Sequence, residues 1–317
     1  MYTIGIDIGG TNLKAGLVDE QEGLVTTASM PLQWVSPEKL VEDLLDLSDG
    51  LLRRQGADRG AVSAIGIGVP GVVDHAAGTI MKTTNIPIRN LPVAELIGCG
   101  WHVPVHLGND ADCAAWGEYC HFARSEEESL VLVTLGTGIG TGLVLNGRIH
   151  RGCNGCAGEG GHIVVVPGGE LCSCGRRGCW ERYASATALV RQTKAAMEAD
   201  PGSKLWELTD GNLEKVDGRT AFDGVRRGDA AAKQVVERFL DYLAEGVTDL
   251  INLLQPSYLC IGGGLSREDD AYLLQPLKKR VEAMRFDRDL ERHTEIVKAA
   301  LGNDAGIIGA ALLGRTQ

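Results

Sequence analysis

The sequence predicts an α/β protein made of two similar lobes, and three observations support this. Its 317 residues are enough for two domains of ordinary size. Strand-like and helix-like segments alternate along the chain. Two predicted hairpins with glycine-rich tips lie 126 positions apart. Two related lobes would each present one such turn to a shared ligand cleft.

The N-terminal half alternates strand and helix signals. β-branched apolar runs predict buried strands, and a Ser-Pro start followed by apolar residues at helical spacing predicts a helix. The predicted elements are strands at 2–8, 13–18, 63–69 and 103–107, with helices over 36–54 and from near Ala111.

The C-terminal half repeats this pattern after a second hairpin. Segment 151–183 interrupts it, because this segment is rich in cysteine and glycine and has no apolar period. The predicted elements are strands at 130–135, 142–145 and 257–261, an amphipathic helix over 229–254 and a small-residue helix over 305–314.

The two hairpins also resemble each other in sequence. A shift of 126 positions superimposes five identical residues, which are Gly10, Thr11, Gly16, Leu17 and Val18 on Gly136, Thr137, Gly142, Leu143 and Val144. An internal duplication explains this match, and so does chance in a chain with 43 glycines.

Charge and hydropathy exclude several classes of partner. The net charge is −11, so the surface repels nucleic-acid phosphates and anionic lipids. No stretch is long and apolar enough to cross a bilayer. The opening sequence MYTIGIDIGGTN interrupts any secretory signal with an aspartate and a glycine pair. We therefore expect a cytoplasmic protein with no nucleic-acid or membrane partner.

Both glycine-rich turns are candidate phosphate sites. Backbone amides can approach an anion where no Cβ intervenes, and a threonine hydroxyl adds a donor. Neither turn is a Walker loop or a dinucleotide fingerprint, since GxxxxGK[ST] is absent and GTGIGTG does not supply GxGxxG before a helix. A tight hairpin that needs positive φ is the alternative explanation for each turn.

Two aspartates lie at the carboxyl ends of predicted strands, where open α/β sheets bind ligands. Asp7 ends the first strand beside the first turn and could hold a phosphate-bound magnesium ion. Asp110 follows strand 103–107 and could accept the proton of an attacking hydroxyl, while Asn109 binds a neighbouring substrate oxygen. A purely structural helix cap is the alternative for this Asn-Asp pair.

The cysteines predict a metal site. Cys172, Cys174 and Cys179 form CxCx4C, and His162 precedes them by ten residues, which suits tetrahedral zinc with four protein ligands. Such a closed site is structural, and it would hold the glycine-rich loop in one shape. Cys153 and Cys156 form a further CxxC and are alternatives to His162 as a ligand source.

Two glutamates flank this cysteine-rich loop. Glu159 lies before it and Glu181 follows the last cysteine. Carboxylates in a dry cleft can bind adjacent sugar hydroxyls, whereas solvated surface charge is the ordinary explanation for a lone glutamate. Their position at both ends of the loop favours a role in binding.

With these residues assembled, the chain resembles the ROK family of sugar kinases (repressors, open reading frames and kinases), and within it the bacterial ATP-dependent glucokinases. The resemblance covers nearly the full length. It rests on DIGGTNLK at 7–14, GVPG at 68–71, TNIP at 84–87, NDADCAAWGE at 109–118, LGTGIGTGLV at 135–144, AGEGGH at 157–162, CSCGRRGCWERYAS at 172–185 and IGGGLS at 261–266.

The resemblance implies a role for each matching residue. Asp110 would be the catalytic base, and the sugar would be bound by Asn85, Asn109, Asp110, Glu159, His162 and Glu181. ATP and magnesium would be bound by Asp7, Gly9, Gly10, Thr11, Lys14, Gly136, Thr137, Gly138, Gly262, Gly263 and Gly264. The zinc ligands would be His162, Cys172, Cys174 and Cys179. Gly160 departs from the pattern, because many members have an aliphatic residue there.

The resemblance further implies a two-lobed actin-like or hexokinase-like ATPase fold with the zinc-stabilised loop in the larger lobe. Residues 1–120, completed by the C-terminal helix at 300–317, would form the small lobe, and 121–299 the large lobe with the dimerisation surface. The expected reaction is ATP-dependent phosphorylation of a hexose 6-hydroxyl, with glucose as substrate, in a homodimer or homotetramer. Alternatives are kinases of N-acetylmannosamine, mannose, fructose or allose, and a sugar-responsive transcription regulator.

Overall fold

The structure is a computed structural model that describes residues 1–83 and 86–316. Its strands are β1 (Tyr2–Ile8), β2 (Asn12–Asp19), β3 (Gly23–Pro31), β4 (Val62–Val69), β5 (Gly71–Asp74), β6 (Thr79–Thr83), β7 (Arg89–Leu91), β8 (Val105–Asn109), β9 (Leu130–Leu135), β10 (Ile139–Leu145), β11 (Arg148–Ile149), β12 (Tyr258–Gly262) and β13 (Glu295–Lys298). Its α-helices are α1 (Pro37–Gln55), α2 (Val93–Trp101), α3 (Asp110–Phe122), α4 (Glu181–Ala184), α5 (Ala186–Ala199), α6 (Leu205–Leu208), α7 (Thr220–Arg226), α8 (Ala230–Leu254), α9 (Leu274–Met284) and α10 (Ala305–Ala311).

Two five-stranded sheets share one strand order. The first runs β3-β2-β1-β4-β8 and the second runs β11-β10-β9-β12-β13. In each sheet three strands that are consecutive in sequence lie side by side, and the first of them is central. Two strands from later in the sequence lie on the other side of that central strand. This common order favours internal duplication over chance as the origin of the two similar turns. The predicted α/β fold class is confirmed.

The chain divides into two compact units. Unit 1 contains Met1–Leu130, Gly142–Gly158 and Ala300–Gln317, and unit 2 contains Val131–Thr141 and Glu159–Ala299. The division falls inside β10, so this strand begins in unit 2 and ends in unit 1.

The helix α1 shows why unit 1 folds as its sequence predicts. The Ser36 hydroxyl caps the helix by accepting from the Lys39 amide at 3.2 Å, and Gly56 ends it in the left-handed region at φ 69°. Leu44 and Leu51, two turns apart on one face, are fully buried in the core of the first sheet. The prediction of 36–54 differs from the observed bounds by one residue at each end.

The small residues of α10 explain how the chain's C-terminal segment joins unit 1. A Cβ on Gly5 of β1 would overlap the carbonyl oxygen of Ile307, and one on Gly66 of β4 would overlap that of Ala310. The helix therefore lies directly on the backbone of two strands, and side chains at these positions would push it away.

The longest helix, α8, organises unit 2. Asp229 caps it by accepting from the Ala232 amide at 2.7 Å, and its apolar face, including Phe239 and Leu243, is fully buried. Trp180 packs on the same helix where Gly246 leaves room for the indole, and its Nε1 donates to the Tyr242 carbonyl at 2.7 Å. None of the described helices is both long and apolar enough to cross a bilayer.

Several elements were not predicted from the sequence. Strand β3 alternates exposed and half-buried residues, so it carries little apolar signal. Strands β5, β6 and β7 form a separate three-stranded antiparallel sheet before α2, in a region whose glycines and prolines indicate turns. Short strands of three to five residues give too few positions for a period to be recognised.

A buried ion pair lies directly after the C-terminal end of α9 in unit 2. Arg285 and Asp287 have side chains only 2% and 4% exposed, and Arg285 Nη2 lies 2.5 Å from Asp287 Oδ2. The hydrogen bonds from Arg285 lower the pKa of Asp287 to about 2. Gln255 Nε2, just after α8, donates to the same carboxylate at 2.7 Å. The pair therefore fixes the segment after α9 to the end of α8.

Replacing Asp287 with asparagine should lower the free energy of unfolding by about 3 kcal/mol, because Arg285 would keep a buried charge without its partner. The carboxylate's contribution is present above the ordinary aspartate pKa of 3.8 and is lost as the pH falls from there towards 2. Urea denaturation at pH 7 and pH 3 measures both effects. Glu282→Gln is the control, because Glu282 is 53% exposed and its Oε2 lies 3.7 Å from Arg285 Nη1. Equal stability of D287N and E282Q at pH 7 would contradict the assignment.

Candidate active site

The carboxyl edge of the first sheet gathers the candidate residues of unit 1. Strands β1, β4 and β8 run parallel, with Asp7 opposite Gly68 and Asn109 opposite Val69. Asp7 and Asn109 therefore lie at the same edge of the sheet. Ligands of open α/β sheets bind at this edge.

Asn109 caps α3, and Asp110 is the first residue of that helix. The Asn109 Oδ1 accepts from the Ala111 amide at 2.8 Å and from the Asp112 amide at 3.4 Å. Its Nδ2 donates to the Gly71 carbonyl of β5 at 3.0 Å. Asp110 is exposed, and its Oδ1 accepts from the Ala111 amide at 2.9 Å. The capping role thus belongs to Asn109, and the carboxylate of Asp110 reaches solvent beside it.

The first glycine-rich turn joins β1 to β2 in unit 1. Its Gly9 amide donates to the Asn12 carbonyl at 3.0 Å, and Gly10 and Thr11 are exposed. Neither Gly9 nor Gly10 has a positive φ, so the alternative of a turn that demands such a conformation does not explain them. Gly9 is explained by close approach, because a Cβ there would lie 2.9 Å from the Asn12 oxygen.

Asp7 lies next to this turn and opposite Lys14 in the β1–β2 ladder. Burial raises the pKa of Asp7, and the charge of Lys14 acts in the opposite direction. A carboxylate oxygen is a ligand that a hard cation such as magnesium prefers, and the charge of Lys14 keeps the carboxylate form more accessible.

Glu118 is a buried anchor that sequence reasoning did not single out. Its fully buried carboxylate accepts from the Ala300 and Leu301 amides, each at 2.9 Å. These bonds fasten α3 to the segment that leads into α10. The only sequence signal was an acidic residue on an otherwise apolar helix face.

The second glycine-rich turn lies in unit 2 between β9 and β10. The Gly136 amide donates to the Gly138 carbonyl at 3.0 Å, and neither glycine has a positive φ. A Cβ on Gly138 would lie 2.6 Å from Glu181 Oε2, whereas one on Gly136 would meet nothing within 4 Å. The turn is therefore open at Gly136, where a ligand can approach the backbone, and closed against Glu181 at Gly138.

Four residues of unit 2 form the predicted metal cluster. One ligand atom each from His162, Cys172, Cys174 and Cys179 lies within 4.8 Å of all the others. His162 Nδ1 is 3.6 Å from Cys172 Sγ, and Cys174 Sγ is 3.6 Å from Cys179 Sγ. This set of one nitrogen and three sulfur donors fits tetrahedral zinc.

The two exposed cysteines of the CxxC motif, Cys153 and Cys156, belong to unit 1 and are not members of the cluster. His162 therefore completes the ligand set in the described residues. The alternative that Cys153 or Cys156 replaces it finds no support in this geometry.

Burial raises the pKa of Cys172 and raises that of Cys179 to about 12, whereas a hydrogen bond from the Arg176 amide lowers the pKa of Cys174. Thiols bind zinc as thiolates, so zinc binding would displace the thiol protons. The hydrogen bond from the Arg176 amide favours the thiolate form of Cys174.

The candidate sugar ligands Glu159 and Glu181 lie on opposite sides of the His162 ring. Its Nε2 lies 4.0 Å from Glu159 Oε2, and its Nδ1 lies 3.8 Å from Glu181 Oε1. Glu181 Oε1 also accepts from Cys172 Sγ at 3.0 Å. The imidazole thus has one nitrogen towards the cysteines and one towards Glu159, which links the geometry of the cluster to that of the polar groups.

The glycine run after β12 completes the candidate nucleotide residues of unit 2. Gly263 has φ 83°, and a Cβ there would lie 2.5 Å from the Leu135 amide nitrogen, so only glycine suits this position. Gly264 has no atom within 4 Å of an added Cβ. The run therefore leaves open backbone beside the carboxyl end of β12.

The predicted site residues thus fall into one group in each unit. Unit 1 contains Asp7, Gly9, Gly10, Thr11, Lys14, Asn109 and Asp110. Unit 2 contains Gly136, Thr137, Gly138, Glu159, His162, Glu181, Gly262, Gly263, Gly264 and the three cysteine ligands. Asn85 lies outside the described residues.

Known proteins resemble this chain along its whole length. A glucokinase from Streptomyces coelicolor is 36% identical over 315 residues, which cover 99% of this chain and 97% of the relative. A glucokinase from Halalkalibacterium halodurans is 34% identical over 318 residues, covering 100% and 96%. The crystal structure of a ROK family glucokinase from Streptomyces griseus in complex with glucose and AMPPNP is 36% identical, covers 100% of both chains and superimposes with a TM-score of 0.81.

The model of the ROK family matches residues 3–317, which is nearly the entire sequence. Together with the relatives above, this match shows that the chain belongs to the ROK family.

Proposed function

We propose that this protein transfers the γ-phosphoryl group of ATP to the 6-hydroxyl of glucose. The observation that carries the proposal is the exposed Asp110 carboxylate at the carboxyl edge of the first sheet, beside an asparagine that already supplies the helix cap. The full-length similarity to a glucokinase solved with glucose and AMPPNP supports the same reaction and donor.

Asp110 would accept the proton of the 6-hydroxyl while the oxygen attacks phosphorus. The bond from phosphorus to the terminal ADP oxygen breaks as the new O–P bond forms, so the products are glucose 6-phosphate and ADP. Phosphoryl transfer requires mainly positioning and charge stabilisation, so hydrogen bonds that orient the sugar are a major part of catalysis.

The other candidate residues would bind different parts of the two substrates, glucose and ATP. Asn109, Glu159, His162 and Glu181 would bind sugar hydroxyls, as would Asn85. Asp7, Lys14 and the glycine-rich turns, with Thr11 and Thr137, would hold the magnesium-bound triphosphate, and Gly262–Gly264 would border the adenosine. Magnesium would neutralise charge on the phosphate oxygens.

Zinc in the Cys3His cluster would be structural, because four protein ligands leave no open position. It would hold His162 and the loop from Glu159 to Glu181 in the shape that the sugar requires. We further propose that the protein acts in cytoplasmic carbohydrate metabolism, at the entry to glycolysis, as a homodimer or homotetramer.

Asp110→Asn should reduce kcat by at least about a thousandfold, because the amide cannot take the hydroxyl proton. The KM for ATP should change by less than about threefold. Asp46→Asn, on the exposed side of α1, is the matched control and should retain full activity. Turnover of D110N close to that of D46N would eliminate the proposed base.

Cys174→Ser should release zinc, measured as metal content per chain by mass spectrometry, and should weaken glucose binding by about tenfold or more. The control is Cys156→Ser, which changes an exposed thiol outside the cluster. Unaltered zinc content in C174S would refute the ligand set. Lost zinc with unaltered glucose affinity would refute the coupling through His162.

A coupled assay with purified protein should give the highest kcat/KM for glucose among glucose, N-acetylmannosamine, mannose, fructose and allose. A higher value for any of the other four sugars would replace glucose as the proposed substrate while leaving the class of reaction intact.

A further inference from the structure

The hairpin of β10 and β11 places Arg151 opposite Gly142 in unit 1. The two strands pair in antiparallel register, and the His150 amide continues the pairing by donating to the Leu143 carbonyl at 2.8 Å. One further step in the same register aligns Arg151 with Gly142.

Gly142 faces the first turns of α3. A Cβ on Gly142 would overlap the Ala111 carbonyl oxygen and would lie 2.5 Å from Ala115 Cβ. Residues directly opposed on antiparallel strands point to the same face of the sheet. The side chain of Arg151 therefore leaves the hairpin on the side of α3, the helix that begins with Asp110.

One strand lies beside both the segment after Arg151 and the cap of α3. A Cβ on Gly155 would lie 3.2 Å from the Val73 carbonyl oxygen of β5. The Asn109 side chain donates to the Gly71 carbonyl of the same strand. The segment after Arg151 and the first turn of α3 therefore both approach β5.

The guanidinium of Arg151 has an unused donor in this environment. Its Nε is buried and has no hydrogen-bond partner among residues 1–83 and 86–316. Burial raises the pKa of the Cys113 thiol in α3, and the charge of Arg151 opposes that effect. Burial lowers the pKa of His75, and Arg151 lowers it further. A buried donor without a partner is costly, so a ligand oxygen that accepted its hydrogen would remove that cost.

We propose that Arg151 binds oxygens of the phosphoryl group as that group passes to the hydroxyl deprotonated by Asp110. This proposal rests on the proposed kinase function. A guanidinium presents a planar fork of donors that matches phosphate oxygens, and it stabilises the charge on them during transfer. The atoms balance as in the reaction above: phosphorus gains the sugar oxygen and loses ADP, while the proton goes to Asp110.

The test compares Arg151→Gln with Arg148→Gln, which removes an exposed arginine of the same hairpin. R151Q should lower kcat by about a hundredfold and weaken binding of glucose 6-phosphate by about tenfold. Its Kd for glucose, which lacks the phosphate, should stay within about twofold of wild type. R148Q should match wild type in all three measurements.

Unchanged kcat in R151Q, or equal loss of affinity for glucose and glucose 6-phosphate, would overturn the assignment, since equal loss indicates a role in folding or in hydroxyl binding.

If R151Q fails to fold, Arg151→Lys takes its place. The lysine keeps the charge but not the fork, so kcat should fall by about tenfold, and an unchanged kcat would overturn the proposal. Wild-type protein that phosphorylates no hexose would overturn the proposed function as well, whereas active wild type with equally active R151Q overturns only the role of Arg151.

Discussion

The hydrogen bonds of Asn109 determine where the carboxylate proposed as the catalytic base lies. One side chain joins three parts of unit 1, because Oδ1 caps α3, Nδ2 holds the Gly71 carbonyl of β5, and the residue itself ends β8. Asp110 follows as the first residue of the helix. Its position is therefore set by the hydrogen bonds of the Asn109 side chain. The proposed reaction would then use a carboxylate that is not the cap of the helix.

The helix that carries Asp110 is held by backbone contact as much as by side chains. A Cβ on Gly309 of α10 would overlap the Cys113 carbonyl of α3, and one on Gly117 would lie 2.7 Å from the Ala305 carbonyl. Glu118 adds two hydrogen bonds to backbone amides. Glycines at both contact points let the helices touch, and the result is a rigid support for the first turn of α3. Zinc bound by the Cys3His cluster would give the loop of unit 2 a comparable constraint.

The sequence predicted the elements with strong periodic signals, such as β1, α1 and α8, and it brought together the three cysteines and His162. It left open whether the pair Asn109 and Asp110 is a structural helix cap or part of a catalytic site, because both residue types cap helices well. The hydrogen bonds assign the cap to Asn109. The sheet of β5, β6 and β7 was missed because its strands are short. Arg151 had no motif, and only the hairpin register and the orphaned Nε draw attention to it.

The most direct test of the central claim is a crystal structure with glucose bound. The account predicts that a carboxylate oxygen of Asp110 lies about 2.6–3.2 Å from the sugar 6-hydroxyl, with the Asn109 cap unchanged. A bound glucose whose 6-hydroxyl contacts a different side chain, with the Asp110 carboxylate turned away from the sugar, would contradict it.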